Sequence, residues 1–175
     1  MSNYDSGDFE GNLKVGKYHE ELVLAWAKSK KYNCKLYSSG NGKAQIKVYK
    51  GKTYIHPDIE VFTDSSGIKI KMLIEVKSFS QKYLMRDSYF RNLFGHKVEE
   101  TEYGFPIKCR NFNSYYSIYE DYGIDVRCVF CLEDESQWWW QKINKMYETK
   151  HYEQQGFGKG IPSYFWYLKD LRTDF

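Results

Sequence analysis

Polar and apolar side chains alternate through two stretches in the first half of the chain, Tyr54 to Phe62 and Ile68 to Lys77, on either side of the turn-rich segment Thr63-Asp-Ser-Ser-Gly67. Such alternation sends successive side chains to opposite faces, so the pair reads as an antiparallel hairpin. Take Asp64-Ser65-Ser66-Gly67 as a four-residue loop with Thr63 facing Ile68. Val61 then falls opposite Ile70, Ile59 opposite Met72, Pro57 opposite Ile74 and Ile55 opposite Val76. Every pair is apolar, which marks a buried face. His56, Asp58, Glu60 and Phe62 share the other face with Lys69, Lys71, Leu73 and Glu75, and Lys77 lies one step beyond. A slip of one residue would mix the two sets.

The same periodicities predict the remaining elements. Residues 1–12 are polar and read as a loose terminus. A helix is expected from about Leu13 to Lys30, with Tyr18, Leu22, Ala25 and Trp26 along one stripe and Val23, Leu24 and Ala27 extending it round the cylinder. Asn33 to Tyr49 suits a strand, a Ser-Ser-Gly-Asn-Gly loop and a second strand from Ala44. Ser80 is expected to cap a helix running to about Phe94. Residues 95–113 read as a loop with a short extended piece, and Ser114 to Tyr122 as a helix stopped by Gly123. Ile124 to Leu132 is a strand, placed beside the hairpin by a strand–helix–strand unit that covers its apolar face. Gln137 to Tyr147 reads as a helix and Tyr164 to Leu168 as a strand. Three consecutive residues cannot share one helix face, so at least one of Trp138, Trp139 and Trp140 is expected to be exposed, for an interface between subunits.

With 175 residues the chain is expected to form one domain, with a core over 13–132 and an aromatic-rich C-terminal extension over 133–175. No run of 18 apolar residues occurs, and the expectation is a cytoplasmic protein without a membrane partner. The net charge of +3 is too small to imply a polyanionic partner by itself. Its distribution says more, because eight lysines and no acid lie between Ala27 and Lys52. A local basic stripe is what a phosphate-tracking surface needs. Lys35, Lys43 and Lys47, with Ser38 and Ser39 of the glycine-rich loop, are the candidate nucleic-acid contacts. Aromatic residues make up 19% of the chain, which leaves core packing, a subunit interface and stacking on unpaired bases as their possible uses. Cys128 and Cys131 fall three apart on a strand and so point to opposite faces. They read, with Cys34 and Cys109, as core residues and not as a metal cluster.

The hairpin's polar face carries the chemistry. Glu75 and Lys77 point the same way, and Asp58 joins them from the neighbouring strand, diagonal to Glu75 at roughly 7–8 Å between backbones. Two carboxylates so placed can reach one hard cation such as Mg²⁺, which takes one or two carboxylates plus water and phosphate oxygens. An ammonium beside it can orient water and offset phosphate charge. The plainer alternative is a solvated charged face with Glu60 paired to Lys71. It does not account for Pro-Asp and Glu-Val-Lys sharing one end of the hairpin.

Pro57-Asp58, sixteen intervening residues, then Glu75-Val76-Lys77 resembles the signature of the PD-(D/E)XK nuclease superfamily. From Gly16 to Ser78 the chain is similar to archaeal Holliday-junction resolvases, through Gly16 and Glu20, Ser38-Ser39-Gly40, Pro57-Asp58 and Glu75-Val76-Lys77-Ser78. The resemblance implies an α/β fold with a restriction-endonuclease-like core, a central mixed sheet flanked by helices. It implies a Mg²⁺-dependent DNA endonuclease, with Mn²⁺ able to substitute, no small-molecule cofactor and a homodimer with paired sites. Asp58, Glu75, the Val76 carbonyl and Glu20 would hold the metal, with Glu21 the alternative to Glu20, and Lys77 would position or activate water. The alternatives are a restriction-type endonuclease reading a short sequence and a non-catalytic nucleic-acid-binding module.

Overall fold

The computed structural model describes residues 9–37, 45–84, 97, 99–133, 137–153 and 160–175. The first element is helix α1, Phe9–Ser29. Its stripe of Val23 and Ala27, both fully buried, lies against the central sheet. No described helix is long and apolar enough to cross a membrane.

The central sheet has five strands, β1 (Asn33–Leu36), β4 (Ile59–Phe62), β5 (Ile70–Phe79), β8 (Asp125–Leu132) and β9 (Trp138–Lys142), ordered β1-β4-β5-β8-β9. Only β5 and β8 run parallel; the other neighbours are antiparallel, so the sheet is mixed as expected. Strands β2 (Ile46–Tyr49) and β3 (Lys52–Ile55) form a separate two-stranded arm, so the expected continuous strand from Tyr54 to Phe62 is broken at His56-Pro57-Asp58.

The hairpin of β4 and β5 keeps the expected faces for Ile59, Val61, Met72, Ile74 and Val76 but not for Ile70, and it does not keep the expected register. The loop takes in Ile68, which is 83% exposed, so that the Thr63 N–H bonds to the Lys69 carbonyl at 3.0 Å. Phe62 then pairs with Ile70, and a bulge beside Val61 shifts the ladder once more, to Val61 with Met72 and Ile59 with Ile74. Two single-residue shifts restore the alternation. Between them it is reversed, which is why Ile70 packs on the opposite side from Met72.

Both faces of this sheet are buried. Ile59, Val61, Met72, Ile74 and Val76 pack under α1, as their alternation predicts. The other face, expected to be polar and open, lies beneath a second layer. That layer contains a sheet ordered β10-β11-β7-β6, of β10 (His151–Glu153), β11 (Ser163–Tyr167), β7 (Tyr103–Lys108) and β6 (Tyr83–Leu84). It also contains helices α2 (Cys109–Tyr122) and α3 (Ile143–Thr149). Leu73, Val126, Cys128 and Phe130 from the central sheet meet Phe105, Phe112, Tyr115 and Trp166 from this layer. The strand–helix–strand unit therefore covers the polar face, and α1 the apolar one. Gly104 is required where β7 crosses β11, because a Cβ there would stand 1.8 Å from the Trp166 carbonyl oxygen. Gly123 ends α2 in the left-handed region with φ 65°, as its position predicts.

Several expectations are corrected here. The first helix begins at Phe9, inside the segment read as loose. Ser80 caps no helix, since Tyr83 and Leu84 already pair with β7 as strand; the rest of that expected helix lies outside the described residues. Residues 103–108 form a full strand, and α2 starts at Cys109. Trp138, Trp139 and Trp140 lie on a strand, not a helix, and none is exposed. Alternation sends Trp139 into one core and Trp140 into the other, each 5% exposed, while Trp138 packs on Phe175. A sheet buried on both faces takes consecutive tryptophans where a helix could not.

Candidate active site

The site forms where β5 leaves its partner β4 and continues beside β8. Glu75 stands opposite Cys128 and Lys77 opposite Phe130, with Glu75 and Lys77 on one face as alternation requires. Asp58 lies just ahead of β4, whose last pair with β5 is Ile59 with Ile74. Asp58 precedes that pair and lies close enough to Glu75 for the two charges to interact. The Val76 N–H donates to Asp58 Oδ2 at 2.8 Å and fixes the carboxylate against β5.

Glu75 is buried, and one of its oxygens is ion-paired with the Lys77 ammonium, which is 29% exposed. Among the described residues its other oxygen, Oε2, is buried with no hydrogen-bond partner. Burial, and then the neighbouring Glu75 charge, push the Asp58 carboxyl well above the ordinary aspartate value; Lys77 and the Val76 N–H oppose this without cancelling it. Glu20, on α1, is close enough for its charge to add to the same rise. Burial alone would lower the Lys77 pKa, but Glu75 and Asp58 outweigh it and hold the ammonium charged. The Tyr115 hydroxyl on α2 lies against Glu75 and is held protonated by burial and by the two carboxylates.

These donors suit a hard divalent cation. Burial and the Glu75 charge both oppose ionisation of Asp58, and among the described residues one Glu75 oxygen lacks a partner. Among the described residues no group of three or more His, Cys, Asp or Glu side chains gathers to hold a metal. The fit is therefore to a two-carboxylate site that leaves its other positions to carbonyl, water and phosphate oxygens. Asp58 and Glu75 would hold such an ion, with Glu20, whose charge reaches Asp58, and the Val76 carbonyl as the further donors the motif implies. The cysteines fit no metal cluster: all four are free thiols, and Cys128 and Cys131 lie in cores on opposite sides of the sheet.

The candidate nucleic-acid contacts divide. Ser38, Ser39 and Lys43 lie outside the described residues. Lys35 and Lys47 both turn toward Glu60, Lys35 at 3.4 Å and Lys47 in a closer ion pair. Glu60 is 1% exposed and also meets His56 Nε2 at 3.3 Å, so it is not the solvated partner of Lys71. His56 is held by the Pro57 carbonyl at 2.7 Å and the Tyr49 hydroxyl at 2.7 Å. His19, next to Glu20, meets the Ser78 hydroxyl at 2.9 Å, which ties α1 to the strand end that carries Lys77.

Sequence reasoning missed Tyr115, His19 and the role of Glu60. His56 and Glu60 share a face with Asp58 by alternation, so their clustering was readable. No signal in the sequence points Tyr115 at Glu75.

No protein-family model matches the chain and no curated protein matches it. Among solved structures it is similar to Hjc, a Holliday junction resolvase from the archaeal hyperthermophile Archaeoglobus fulgidus. Identity is 10%, the alignment covers 89% of this chain and 85% of that one, and the TM-score is 0.48.

Proposed function

We propose that the chain is a Mg²⁺-dependent DNA endonuclease that prefers branched substrates in the manner of a junction resolvase and acts as a homodimer. The observation that carries this reading is the meeting of Asp58, Glu75 and Lys77, with one Glu75 oxygen buried and unpartnered. A bound Mg²⁺, or Mn²⁺ in its place, would polarise a phosphodiester and lower the pKa of attacking water.

The chain's own residues do the rest. The Val76 N–H orients Asp58, and Tyr115 and Lys77 hold Glu75, so both carboxylates are set before substrate arrives. Preset geometry removes reorganisation from the reaction step. Lys77, held charged by its two acid neighbours, acts as a cation: it aligns water and offsets charge growing on the phosphate. The preference for branched DNA rests on the motif resemblance from Gly16 to Ser78.

The test is incubation with four-way-junction, linear duplex and single-stranded DNA, with and without Mg²⁺, using the wild type, Asp58→Ala and Lys77→Ala. Junction cleavage that needs Mg²⁺ and is lost in both variants supports the proposal. Discrete fragments from long duplex would point instead to sequence reading. Cleavage unchanged by either substitution would end the nuclease assignment.

A further inference from the structure

The flank of α2 turned toward α3 carries a row of tyrosines that no step of the proposed chemistry uses. Tyr119 and Tyr116 lie with centroids 6.0 Å apart, and Tyr116 stacks on Tyr147 of α3 at 4.0 Å with the planes 8° from parallel. The Lys150 ammonium sits 3.3 Å from the Tyr147 centroid and 5.7 Å from that of Tyr164. Tyr164, on β11, is 6.0 Å from Tyr152 on β10. The row is continuous across four elements, and it is open to solvent at Tyr147, 43% exposed, and Tyr152, 61% exposed.

We propose that this row is a stacking platform for the bases of an unpaired DNA strand. Its composition favours that occupant over a protein. Lysine is depleted from the centres of protein interfaces, whereas single-strand grooves interleave cations with aromatic faces. Here a lysine sits in the middle of the row. The acids along the flank are already engaged, Glu120 by the Tyr116 hydroxyl and Glu148 by Lys145 at 2.9 Å.

Tyr116 covers one face of Tyr147, so Lys150 at 3.3 Å must cover the other. A base that displaces Lys150 from that face replaces a cation–π contact with stacking, and frees the ammonium to meet the strand's own phosphate. Tyr152 offers a second ring without such displacement. The row shares its helix with Tyr115, whose hydroxyl lies against Glu75.

This proposal deepens the nuclease reading by naming unpaired DNA as a substrate element, yet binding can be read without cleavage. Fluorescence anisotropy of a labelled oligothymidylate is measured in EDTA with the wild type, Tyr147→Ala, Tyr152→Ala, Tyr147→Phe and Asp58→Ala. Each alanine variant is expected to bind about fivefold to a hundredfold more weakly, the range for loss of one stacking ring, and Tyr147→Phe to bind as the wild type. Asp58→Ala should bind normally, so failure of the cleavage assay and failure of the platform are separate results. Circular dichroism checks folding, and Tyr152→Ala alters the more exposed ring if Tyr147→Ala unfolds. Unchanged binding in the alanine variants overturns the proposal. Unchanged binding with a shifted sedimentation coefficient would assign the row to a subunit interface instead.

Discussion

Glu60 gives the most direct measure of how firmly the polar cluster beside the site is built. Glu60→Gln keeps shape and one carbonyl oxygen but removes the charge that faces Lys47, Lys35 and His56. Burial works against the ionised carboxyl, yet hydrogen bonds from His56 and Lys47 prevail and bring its pKa from 4.5 down to about 2. That drop corresponds to about 3 kcal/mol of preference for the charged form. Lys47 is 27% exposed and Lys35 61% exposed, so solvent screening brings the expected loss in Glu60→Gln to about 2 kcal/mol. The sign with pH follows. A depressed folded-state value contributes stability that is complete above the unfolded value near 4.5 and disappears as pH falls toward 2. Urea unfolding followed by tryptophan fluorescence at neutral pH, pH 4 and pH 3 should show the wild type converging on Glu60→Gln as acid is added. Equal midpoints at neutral pH, or parallel acid limbs, would refute the reasoning.

Asp58→Asn should abolish metal-dependent cleavage and raise the melting temperature in EDTA. The folded-state carboxyl titrates above its unfolded value, so its ionised form weakens the fold at neutral pH, and that loss is recovered as pH falls through the folded value. Conversely, Mg²⁺ at about a hundred times its dissociation constant should stabilise the wild type by about 2.7 kcal/mol and leave Asp58→Asn unmoved, as thermal scans would read. Tyr115→Phe removes the hydroxyl from Glu75; with hydrogen bonds to charged groups worth about 1.5–3 kcal/mol, Mg²⁺ binding measured by calorimetry should weaken by tenfold or more while the fold persists. Trp140→Ala opens the core under α1 and should cost about 3–5 kcal/mol in denaturant unfolding, whereas Trp138→Ala, at the less buried end of β9, should cost clearly less.

Much of the central hairpin and of the site was legible because a period of two is a strong signal. Ile59, Val61, Met72, Ile74 and Val76 could only share a face, and Asp58, Glu75 and Lys77 could only share the other. Register was not legible. Alternation is blind to a loop that takes in Ile68 and to a bulge beside Val61, because their two shifts together restore the faces. The tryptophan run failed for a related reason: three identical residues have no period, so helix and strand were indistinguishable there. The lysine stripe was legible only as composition. The buried acid that gathers Lys35 and Lys47 lies 25 and 13 residues further along the chain, at Glu60, and only the fold brings them together. Tyr115 depended likewise on how α2 docks over β5.

The register correction bears directly on the chemistry. In the expected pairing Asp58 stood diagonal to Glu75, at a separation that lets both carboxylates reach one hard cation. In the observed pairing Ile59 meets Ile74, and the Glu75 charge adds to burial in raising the neighbouring Asp58 carboxyl above its ordinary value. Neither acid can withdraw. Ile59 and Ile74 lock the strands under α1, Leu73 locks β5 against the layer above, and the Val76 N–H holds the Asp58 carboxylate in place. Lys77 and Tyr115 meet only part of the charge, since Glu75 Oε2 stays buried without a partner. The packing energy of two apolar cores thus sustains an arrangement that would be unfavourable alone, and a proton on Asp58 or a small cation between the two carboxylates would relieve it.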